Sequence, residues 1–397
     1  MSNLRPGGNG QQIKMDTFRY ISYAQEILFG AGSLDRLGEA VGRFGWHRLM
    51  LCTSPSQRAS GRVEVLAAVL GRRLVAIYDR VLPHVHATQV DEVVADAVNA
   101  QVDAFIGMGG GSSIGIAKAA AFAIEERTGR PPRPTPPTAQ PLVAVIAIPT
   151  TYAGSEMTAV CGVTHAAENP PRKVTQSDPR IAPKLVVYDP RLTLDLPPPI
   201  TASTGINALA HCVEALYSIT RNPLSTAAAV SGARHIFHAL PRCFRDGHDL
   251  EARSVMLQGA HLAGLALASV KMGLHHGLCH VLGGSAQVPH GIANSILLPH
   301  VLRFNASAAA EQLLPLAEAV EVAVDMHCPA EAVERAAERI AGLSAEMSLP
   351  LRLRDAGVPA AALPQLAQLG YENQTVHQNP RPIESAAQIA EILRAAW

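Results

Sequence analysis

The chain has 397 residues, and 48% of them are hydrophobic, which is enough to bury one large core or two ordinary ones. Its 33 Lys and Arg residues balance its 33 Asp and Glu residues, so no electrostatic attraction to nucleic acid or to an anionic membrane is expected. This balance argues against those partners and favours a small-molecule substrate. The six cysteines form no CxxC pair, so we expect reduced thiols and a cytoplasmic protein.

The first half of the chain alternates short apolar runs with helical segments. Residues 1–15 show no periodic pattern and no apolar signal core, so a disordered leader is expected there. From residue 16 to residue 198 the alternation is typical of a parallel α/β sheet, which predicts an α/β domain over 16–198. The predicted strands are 49–52, 74–78, 104–106, 142–148 and 185–188.

One helix and one loop of this half can be predicted in detail. Thr88 followed by Asp91 is typical of a helix N-cap, and Val90, Val94 and Val98 then recur at helical spacing. The stripe predicts a helix that packs on the sheet. Six prolines between 128 and 141 rule out a helix there and predict an exposed, extended loop.

After residue 198 the strand-like alternation stops, and Ala, Leu, Glu and Arg dominate. The segments 225–240, 311–324 and 330–347 predict helices, so residues 199–397 are expected to form a second, all-α domain. The most apolar helical stretch, 254–270, is shorter than the roughly 20 residues that span a bilayer, so no membrane segment is expected. A ligand is expected in the cleft between the two domains.

A glycine-rich loop joins the predicted strand 104–106 to an amphipathic helix. Gly109, Gly110 and Gly111 allow a phosphate group to approach the backbone, and Ser112 and Ser113 open the helix. The first N–H groups of a helix carry partial positive charge and favour an anion such as a pyrophosphate. The spacing is not GxGxxG, so a purely structural turn is the alternative.

A second polar element follows the predicted strand 142–148. The hydroxyls of Thr150, Thr151 and Ser155 are suited to bond a nicotinamide amide, a ribose or a phosphate, and Tyr152 offers a ring or a phenol. Ligands of α/β sheets bind at the ends of strands, which is where this element lies. A polar capping turn is the alternative.

Histidines are concentrated in the helical half. Asn207 and His211 are four residues apart, and so are His276 and His280, so each pair shares one face of a helix. His290 follows ten residues after His280. Several histidines on converging helices fit either a metal site or an acid/base site, and the residue types alone leave both open.

Taken together, these motifs resemble the iron-containing alcohol dehydrogenases, and within them the maleylacetate reductase branch. The resemblance implies a dehydroquinate synthase-like α/β domain with a helical catalytic domain, NADH or NADPH as the cofactor, and a homodimer. Ser54 stands near where many relatives carry an aspartate that rejects the 2′-phosphate of NADP, so both cofactors stay open. The motifs that carry the resemblance are Gly109 to Ser112, Pro149 to Thr158, 205–208, His211, 274–280, His290 and 379–397.

The resemblance also bears on the metal. In metal-dependent relatives one aspartate and three histidines hold the metal, and these positions correspond to Asn207, His211, His276 and His290. The neutral amide of Asn207 lacks the anionic charge, so we expect no metal requirement and at most a weak residual site at these four residues.

The implied reaction is reduction of a conjugated C=C or C=O bond in a small oxo-acid. The family position assigns proton delivery to His280 in preference to His276, and His275 is expected to be structural. The other catalytic candidates are His211, His276, His290, Asn207 and Tyr152.

Two departures leave the substrate open, because Gly277 and Asn294 stand where maleylacetate reductases have a lysine and a histidine. One alternative is a metal-dependent alcohol or aldehyde dehydrogenase with Asn207 as an unusual ligand. Another is a lyase or cyclase of the dehydroquinate synthase-like fold. A binding protein without catalysis is disfavoured, since His280 and the glycine loop are both present.

Overall fold

The computed structural model describes residues 17–128, 135–165 and 172–397. The predicted leader 1–15 and residues 129–134 of the proline-rich segment lie outside the described residues. The described remainder of that segment, 135–141, contains neither helix nor strand, in agreement with the predicted loop.

A six-stranded parallel sheet forms the centre of the first half, with the order β1-β8-β5-β4-β2-β3. Three predicted strands have the predicted bounds, because each is a continuous apolar run bounded by polar residues. The other two are shifted, since one continues to Gly109 and the other begins at Ala144. The strands are β1 Glu26–Phe29, β2 Leu49–Cys52, β3 Leu74–Tyr78, β4 Ala104–Gly109, β5 Ala144–Pro149 and β8 Leu185–Tyr188.

Three strands were not predicted. The edge strand β1 has four residues, and its apolar run, from Ile27 to Phe29, is only three residues long. The other two form an antiparallel hairpin, β6 Val160–His165 with β7 Arg172–Ser177. Polar residues dominate the sequence RKVTQS of β7, which hides it from a search for apolar runs.

The helices of the first half are α1 Leu37–Phe44, α2 Pro55–Ala59, α3 Arg62–Leu70, α4 Ala87–Asn99 and α5 Gly111–Arg127. The predicted cap of α4 is wrong, because the helix begins one residue before Thr88 and His86 occupies the N-cap position without a side-chain bond. Val90 and Val94 are buried as predicted, whereas Val98 is 60% exposed. The stripe that contacts the sheet is therefore narrower than the sequence suggested.

The second half is helical, as predicted, and its first long helix begins at Pro198. The predicted helix 311–324 is instead the end of a longer helix that is kinked at Ala309 and stops at Ala319. The helices are α6 Pro198–Tyr217, α7 Pro223–Arg245, α8 Leu250–Ser269, α9 Leu274–Ser285, α10 His290–Ala319, α11 Pro329–Glu346, α12 Leu363–Glu372 and α13 Ala386–Ala395.

The sheet and the helical half share one hydrophobic core. Ile114 of α5, Ala147 of β5 and Tyr188 of β8 belong to the same buried cluster as Ile206 of α6 and many residues of the following helices. This continuous contact holds the ends of the strands against the helices that carry the histidines.

No single helix in the described ranges is long and apolar enough to cross a membrane. The pair α8 and α9 reaches that length and composition only together, and these two helices are bent by 100° relative to each other. All six cysteines are free thiols, and five of them are buried.

Candidate active site

The glycine loop, residues 109–111, connects β4 to the N-terminus of α5. Gly109 has a φ of +140°, and a Cβ there would lie 2.7 Å from the Ser113 Oγ atom, so only glycine fits. Gly110 occupies the N-cap of α5 in an extended conformation, and no side chain caps the helix. The first amides of α5 therefore have no partner within the helix, which suits an anionic ligand.

Space for such a ligand exists above the loop. A Cβ at Gly111 would meet only the Ala153 Cβ atom, at 3.6 Å, and a Cβ at Gly110 only Thr151. Ser113, which the sequence predicted to contact the cofactor, does not face this space. Its side chain is buried, and its amide donates to the Gly110 carbonyl. Ser112, which is partly exposed, stays at the surface of the first turn.

The threonine loop, residues 150–158, follows β5 and lies beside the glycine loop because β4 and β5 are neighbours in the sheet. The Thr150 amide donates to the Gly109 carbonyl at 2.9 Å. The Thr150 hydroxyl accepts a hydrogen bond from Gln57 Nε2 at 3.1 Å, and Gln57 belongs to α2 after the adjacent strand β2. Ser54 opens the same helix, and its hydroxyl lies 2.9 Å from that of Ser56.

The threonine loop runs from the glycine loop to the helical half. Thr151 and Ala153 face Gly110 and Gly111, and a Cβ at Gly154 would lie 3.4 Å from the His211 Nδ1 and Cε1 atoms. Gly154 itself has a φ of +75°, which favours glycine. The loop thus connects the two parts of the site that the sequence predicted separately.

Tyr152 does not join this surface, contrary to its sequence interpretation as a catalytic candidate. Its side chain is 0% exposed, and its hydroxyl accepts a hydrogen bond of 2.8 Å from Arg253 Nη1. Burial raises the pKa of Tyr152 to about 12. The phenol is therefore a buried acceptor for Arg253 and has no access to a cleft.

The four histidines come together, as their spacing predicted. His211 lies on α6, His276 and His280 on α9, and His290 at the first position of α10. The ring centroids of His211 and His276 are 4.8 Å apart, and those of His276 and His290 are 5.9 Å apart. His280 lies 5.9 Å from His290 and 6.4 Å from His276. His211 and His276 are buried, whereas His280 and His290 are exposed at the mouth of this histidine cluster.

Glu214 organises the buried side of the cluster and was missed in the sequence. Its carboxylate is 0% exposed and accepts hydrogen bonds from the amides of Gly273 and His276 and from His276 Nδ1. The spacing of Asn207, His211 and Glu214 is i, i+4 and i+7, which places all three on one face of α6 and could have revealed Glu214.

Burial sets the charge state of the inner histidines. Burial, assisted by the nearby His280, lowers the pKa of His276 to about 3. Burial and the neighbouring His276 hold the pKa of His211 well below its usual range. Both rings are thus neutral near pH 7, and the Nδ1 proton of His276 is held by Glu214.

The four residues that the resemblance places at the metal positions include no anionic ligand, since they are Asn207, His211, His276 and His290. Asn207 supplies a neutral oxygen, where a hard cation favours a carboxylate. Among the described residues, no group of three or more His, Cys, Asp or Glu side chains has the geometry to hold a metal.

These same residues present buried polar atoms toward a ligand. Asn207 Oδ1, His211 Nδ1 and His276 Nε2 are buried and have no hydrogen-bond partner in the described part of the protein. Buried polar groups in folded proteins are nearly always paired, so three orphaned atoms in one cluster indicate a place where a polar ligand binds.

The two departures from the maleylacetate reductase pattern have physical reasons. A Cβ at Gly277 would lie 2.5 Å from Val376 Cγ2 and 3.0 Å from the Val376 amide, so the turn around Val376 requires glycine. Asn294 is fully buried and bonds the His275 ring at 2.8 Å and the His290 carbonyl at 2.7 Å. His275 thus faces the core, and a side chain at 277 would point at the Val376 turn.

A parallel sheet with a glycine loop at a helix N-terminus, beside a histidine cluster on packed helices, is the arrangement expected of a nucleotide-dependent enzyme. Comparison with family models agrees, since residues 24–190 match the iron-containing alcohol dehydrogenase model and residues 201–397 match its C-terminal model. The chain belongs to the iron-containing alcohol dehydrogenase family, as its motifs predicted. It is accordingly an NAD(P)-binding enzyme that acts on a small molecule.

The similar proteins include maleylacetate reductases and another oxidoreductase of the family fold. The maleylacetate reductase of Burkholderia cepacia is 35% identical over 373 residues, which cover 94% of this chain and 96% of the relative. The crystal structure of maleylacetate reductase from Agrobacterium tumefaciens has a TM-score of 0.83 and 36% identity, and the match covers 96% and 99% of the two chains. A 1,3-propanediol oxidoreductase structure reaches a TM-score of 0.87 at 30% identity, with 96% and 100% covered.

Proposed function

We propose that this enzyme uses NADH or NADPH to reduce maleylacetate or a closely related small unsaturated oxo-acid, and that it needs no metal ion. The observation that carries the proposal is the continuous path from the glycine loop, along the threonine loop, to the histidine cluster with its three orphaned polar atoms. Relatives named maleylacetate reductase, at 33–36% identity over nearly the whole chain, support the substrate class.

The glycine loop is the expected site of the cofactor pyrophosphate. The amides of Gly111 and Ser112 at the start of α5 would bond the phosphate oxygens, and Gly109 and Gly110 keep side chains out of that volume. Thr151 would bond the ribose or the nicotinamide amide, whereas Thr150 supports the loop through Gln57 and Ser54 borders the adenosine side. When bound, the reduced nicotinamide supplies the hydride that the substrate receives.

Proton delivery is assigned to His280. With its Nδ1–H donating a hydrogen bond to the Glu214 carboxylate, the neutral His276 ring has Nε2 as an acceptor and is not able to protonate a substrate. His211 is also buried, and its ring lies beside Gly154, away from solvent. His280 is exposed at the mouth of the cluster, where a proton from solvent reaches it, and its ring stacks with that of His290. His290 would help to position the substrate.

The donor set supports a reaction without a metal. Asn207 would supply a neutral amide oxygen where the resemblance implies a carboxylate in metal-dependent relatives, and a neutral ligand holds a divalent cation more weakly. We also propose that the enzyme works as a homodimer in the reducing cytoplasm. The free thiols support the compartment, the family resemblance supports the dimer, and light scattering of the purified protein would measure the oligomeric state.

The test is NAD(P)H oxidation with maleylacetate, compared with short aldehydes, before and after dialysis against a strong chelator, with metal content measured in parallel. The proposal expects turnover of maleylacetate that dialysis leaves unchanged. Activity lost on dialysis and restored by zinc or iron would favour the metal-dependent alcohol dehydrogenase alternative. Substrate turnover without net oxidation of the cofactor would instead favour the lyase or cyclase alternative.

A further inference from the structure

The threonine loop is held from both sides by buried cations that the proposed reaction does not use. Its first residues face the glycine loop, and a Cβ at Gly154 would lie 3.4 Å from the His211 ring, so the loop follows the path from the expected pyrophosphate to the histidine cluster. Any shift of this loop would change the distance between a bound nicotinamide and the histidines. What fixes the loop is therefore relevant to hydride transfer.

Lys118 holds one end of the loop. It lies on α5, its side chain is 0% exposed, and its Nζ atom donates to the Ser155 carbonyl at 2.8 Å. It also donates to the Thr158 hydroxyl at 3.1 Å and to the Thr158 carbonyl at 3.4 Å. Three acceptors match the three protons of an ammonium group. The titratable groups that face it are Cys161 and Glu156, and no carboxylate among the described residues forms an ion pair with it.

Arg253 holds the other end. It lies on α8, is 0% exposed, and donates through Nη1 to the Tyr152 hydroxyl at 2.8 Å and to the Thr201 hydroxyl at 3.0 Å. Its remaining bonds go to the carbonyls of Gly247, at 2.9 Å, and Leu196, at 3.3 Å. Thr201 is in the first turn of α6, the helix that carries His211, so Arg253 connects the loop to that helix.

Burying the charges of Lys118 and Arg253 costs desolvation free energy, and filling the same space would not require a charged side chain. Burying a cation is unfavourable, and each of these two bonds only neutral oxygens. Methionine would fill a similar volume on either helix without that cost. Compared with methionine, the lysine at 118 and the arginine at 253 therefore add the hydrogen bonds to Tyr152, Ser155 and Thr158.

We propose that Lys118 and Arg253 are positioning residues that clamp the threonine loop at its two ends and thereby set the distance between the bound nicotinamide and the histidine cluster. This inference rests on the proposed function for its catalytic consequence. The clamp itself is defined by hydrogen bonds that do not depend on the substrate.

The test uses two disruptive variants, Lys118→Met and Arg253→Met, and two mild ones, Thr158→Val and Tyr152→Phe, which each remove one hydroxyl acceptor. Lys184→Met is the matched control, because Lys184 is partly buried just before β8 and makes no side-chain bond to the loop. NADH affinity is measured by fluorescence titration, and hydride transfer by single turnover with NADH and with its 4-deuterated form.

The clamp predicts NADH affinity within about threefold of wild type and a hydride-transfer rate lower by about 10- to 100-fold in the disruptive variants, since a small displacement of reacting atoms has effects of this size. The mild variants should show the same pattern with a smaller decrease, and the control should match wild type. A lower melting temperature with unchanged hydride transfer per folded enzyme would overturn the proposal. A weaker NADH affinity with unchanged hydride transfer would overturn it too.

A substrate-free measurement separates this inference from the proposed function. Hydrogen exchange of amides in 150–158 should be faster in Lys118→Met and Tyr152→Phe than in wild type, whereas α11 should be unaffected. Unchanged exchange in the loop would overturn the clamp. If wild type failed to reduce maleylacetate while loop exchange still responded to the variants, the proposed substrate would be wrong and the clamp would stand.

Discussion

Glu214→Gln tests how the buried side of the histidine cluster is held together. The carboxylate accepts bonds from the Gly273 amide, the His276 amide and His276 Nδ1, and it is inaccessible to solvent. Burial raises its pKa, and the bonds from the two amides partly oppose that rise. Glutamine keeps the shape of the side chain but replaces one acceptor oxygen with an NH₂ donor.

The expected loss of stability follows from counting donors. In either orientation of the glutamine amide, at least one backbone N–H faces the new NH₂ group and loses its acceptor. A buried donor without a partner costs about 1 to 3 kcal/mol, so the free energy of unfolding should fall by that amount. Glu214→Ala leaves three donors unpaired, roughly 3 to 9 kcal/mol, which is comparable to the whole stability of a typical protein of about 5 to 15 kcal/mol.

Urea unfolding of the three proteins, with Glu338→Gln as the control, measures these differences. Glu338 is an exposed glutamate on α11, so its substitution should change stability by less than about 0.5 kcal/mol. Nitrogen-15 NMR of the histidines should show the proton of His276 on Nδ1 in wild type. If Glu214→Gln were as stable as the control, or if wild-type His276 carried its proton on Nε2, the proposed role of Glu214 would be refuted.

Three further predictions concern other parts of the site. Gly110→Trp should abolish NADH binding, because the indole would occupy the volume above the α5 N-terminus, and a folded variant with normal affinity in fluorescence titration would contradict this. His280→Ala should lower kcat by about 10² to 10⁴. His275→Ala should keep kcat within a few fold of wild type, because the His275 ring faces the core. If His280→Ala left kcat unchanged, another residue would have to be the proton donor. Burial lowers the pKa of Lys118 from 10.5 to about 8. Between these pH values the unfolded chain holds more of this proton than the folded chain does, so the free energy of unfolding rises with pH. The gain is lost again as the pH falls to 8. Urea titrations should therefore show wild type gaining roughly 3 kcal/mol relative to Lys118→Met between pH 8 and 10.5, and parallel curves would contradict the burial.

Local patterns predicted the strands β2, β3 and β8 to the residue, because each is a continuous apolar run bounded by polar residues. The same criterion missed β1, whose apolar run has only three residues, and β7, whose mostly polar sequence pairs with β6 in a hairpin. The cap assigned to Thr88 failed for a related reason. The cap was predicted from the residue types of Thr88 and Asp91 alone. In the structure α4 begins at Ala87, with His86 at the N-cap position.

The site was predictable where spacing along one helix or one loop carried the information. The four-residue spacing of Asn207 with His211 and of His276 with His280 brought these side chains to one cluster, and the glycine loop stood directly at a strand end. Contacts between distant segments were not predictable in this way. Lys118 bonds residues about 40 positions away, and Arg253 bonds Tyr152 across 101 positions.

The sequence by itself determined the family, the order of α and β segments, the position of the phosphate loop and the set of histidines, because each of these depends on residue type and on spacing within one element. Only the tertiary structure decided which way individual side chains face. Tyr152 follows the candidates Thr150 and Thr151 in the threonine loop, yet its phenol points to the core, where Arg253 on α8 donates a hydrogen bond to it. His275 and His276 are adjacent, and their different environments arise from Asn294 on α10 and Glu214 on α6. Such choices depend on which helices pack around a residue, and local spacing does not encode that.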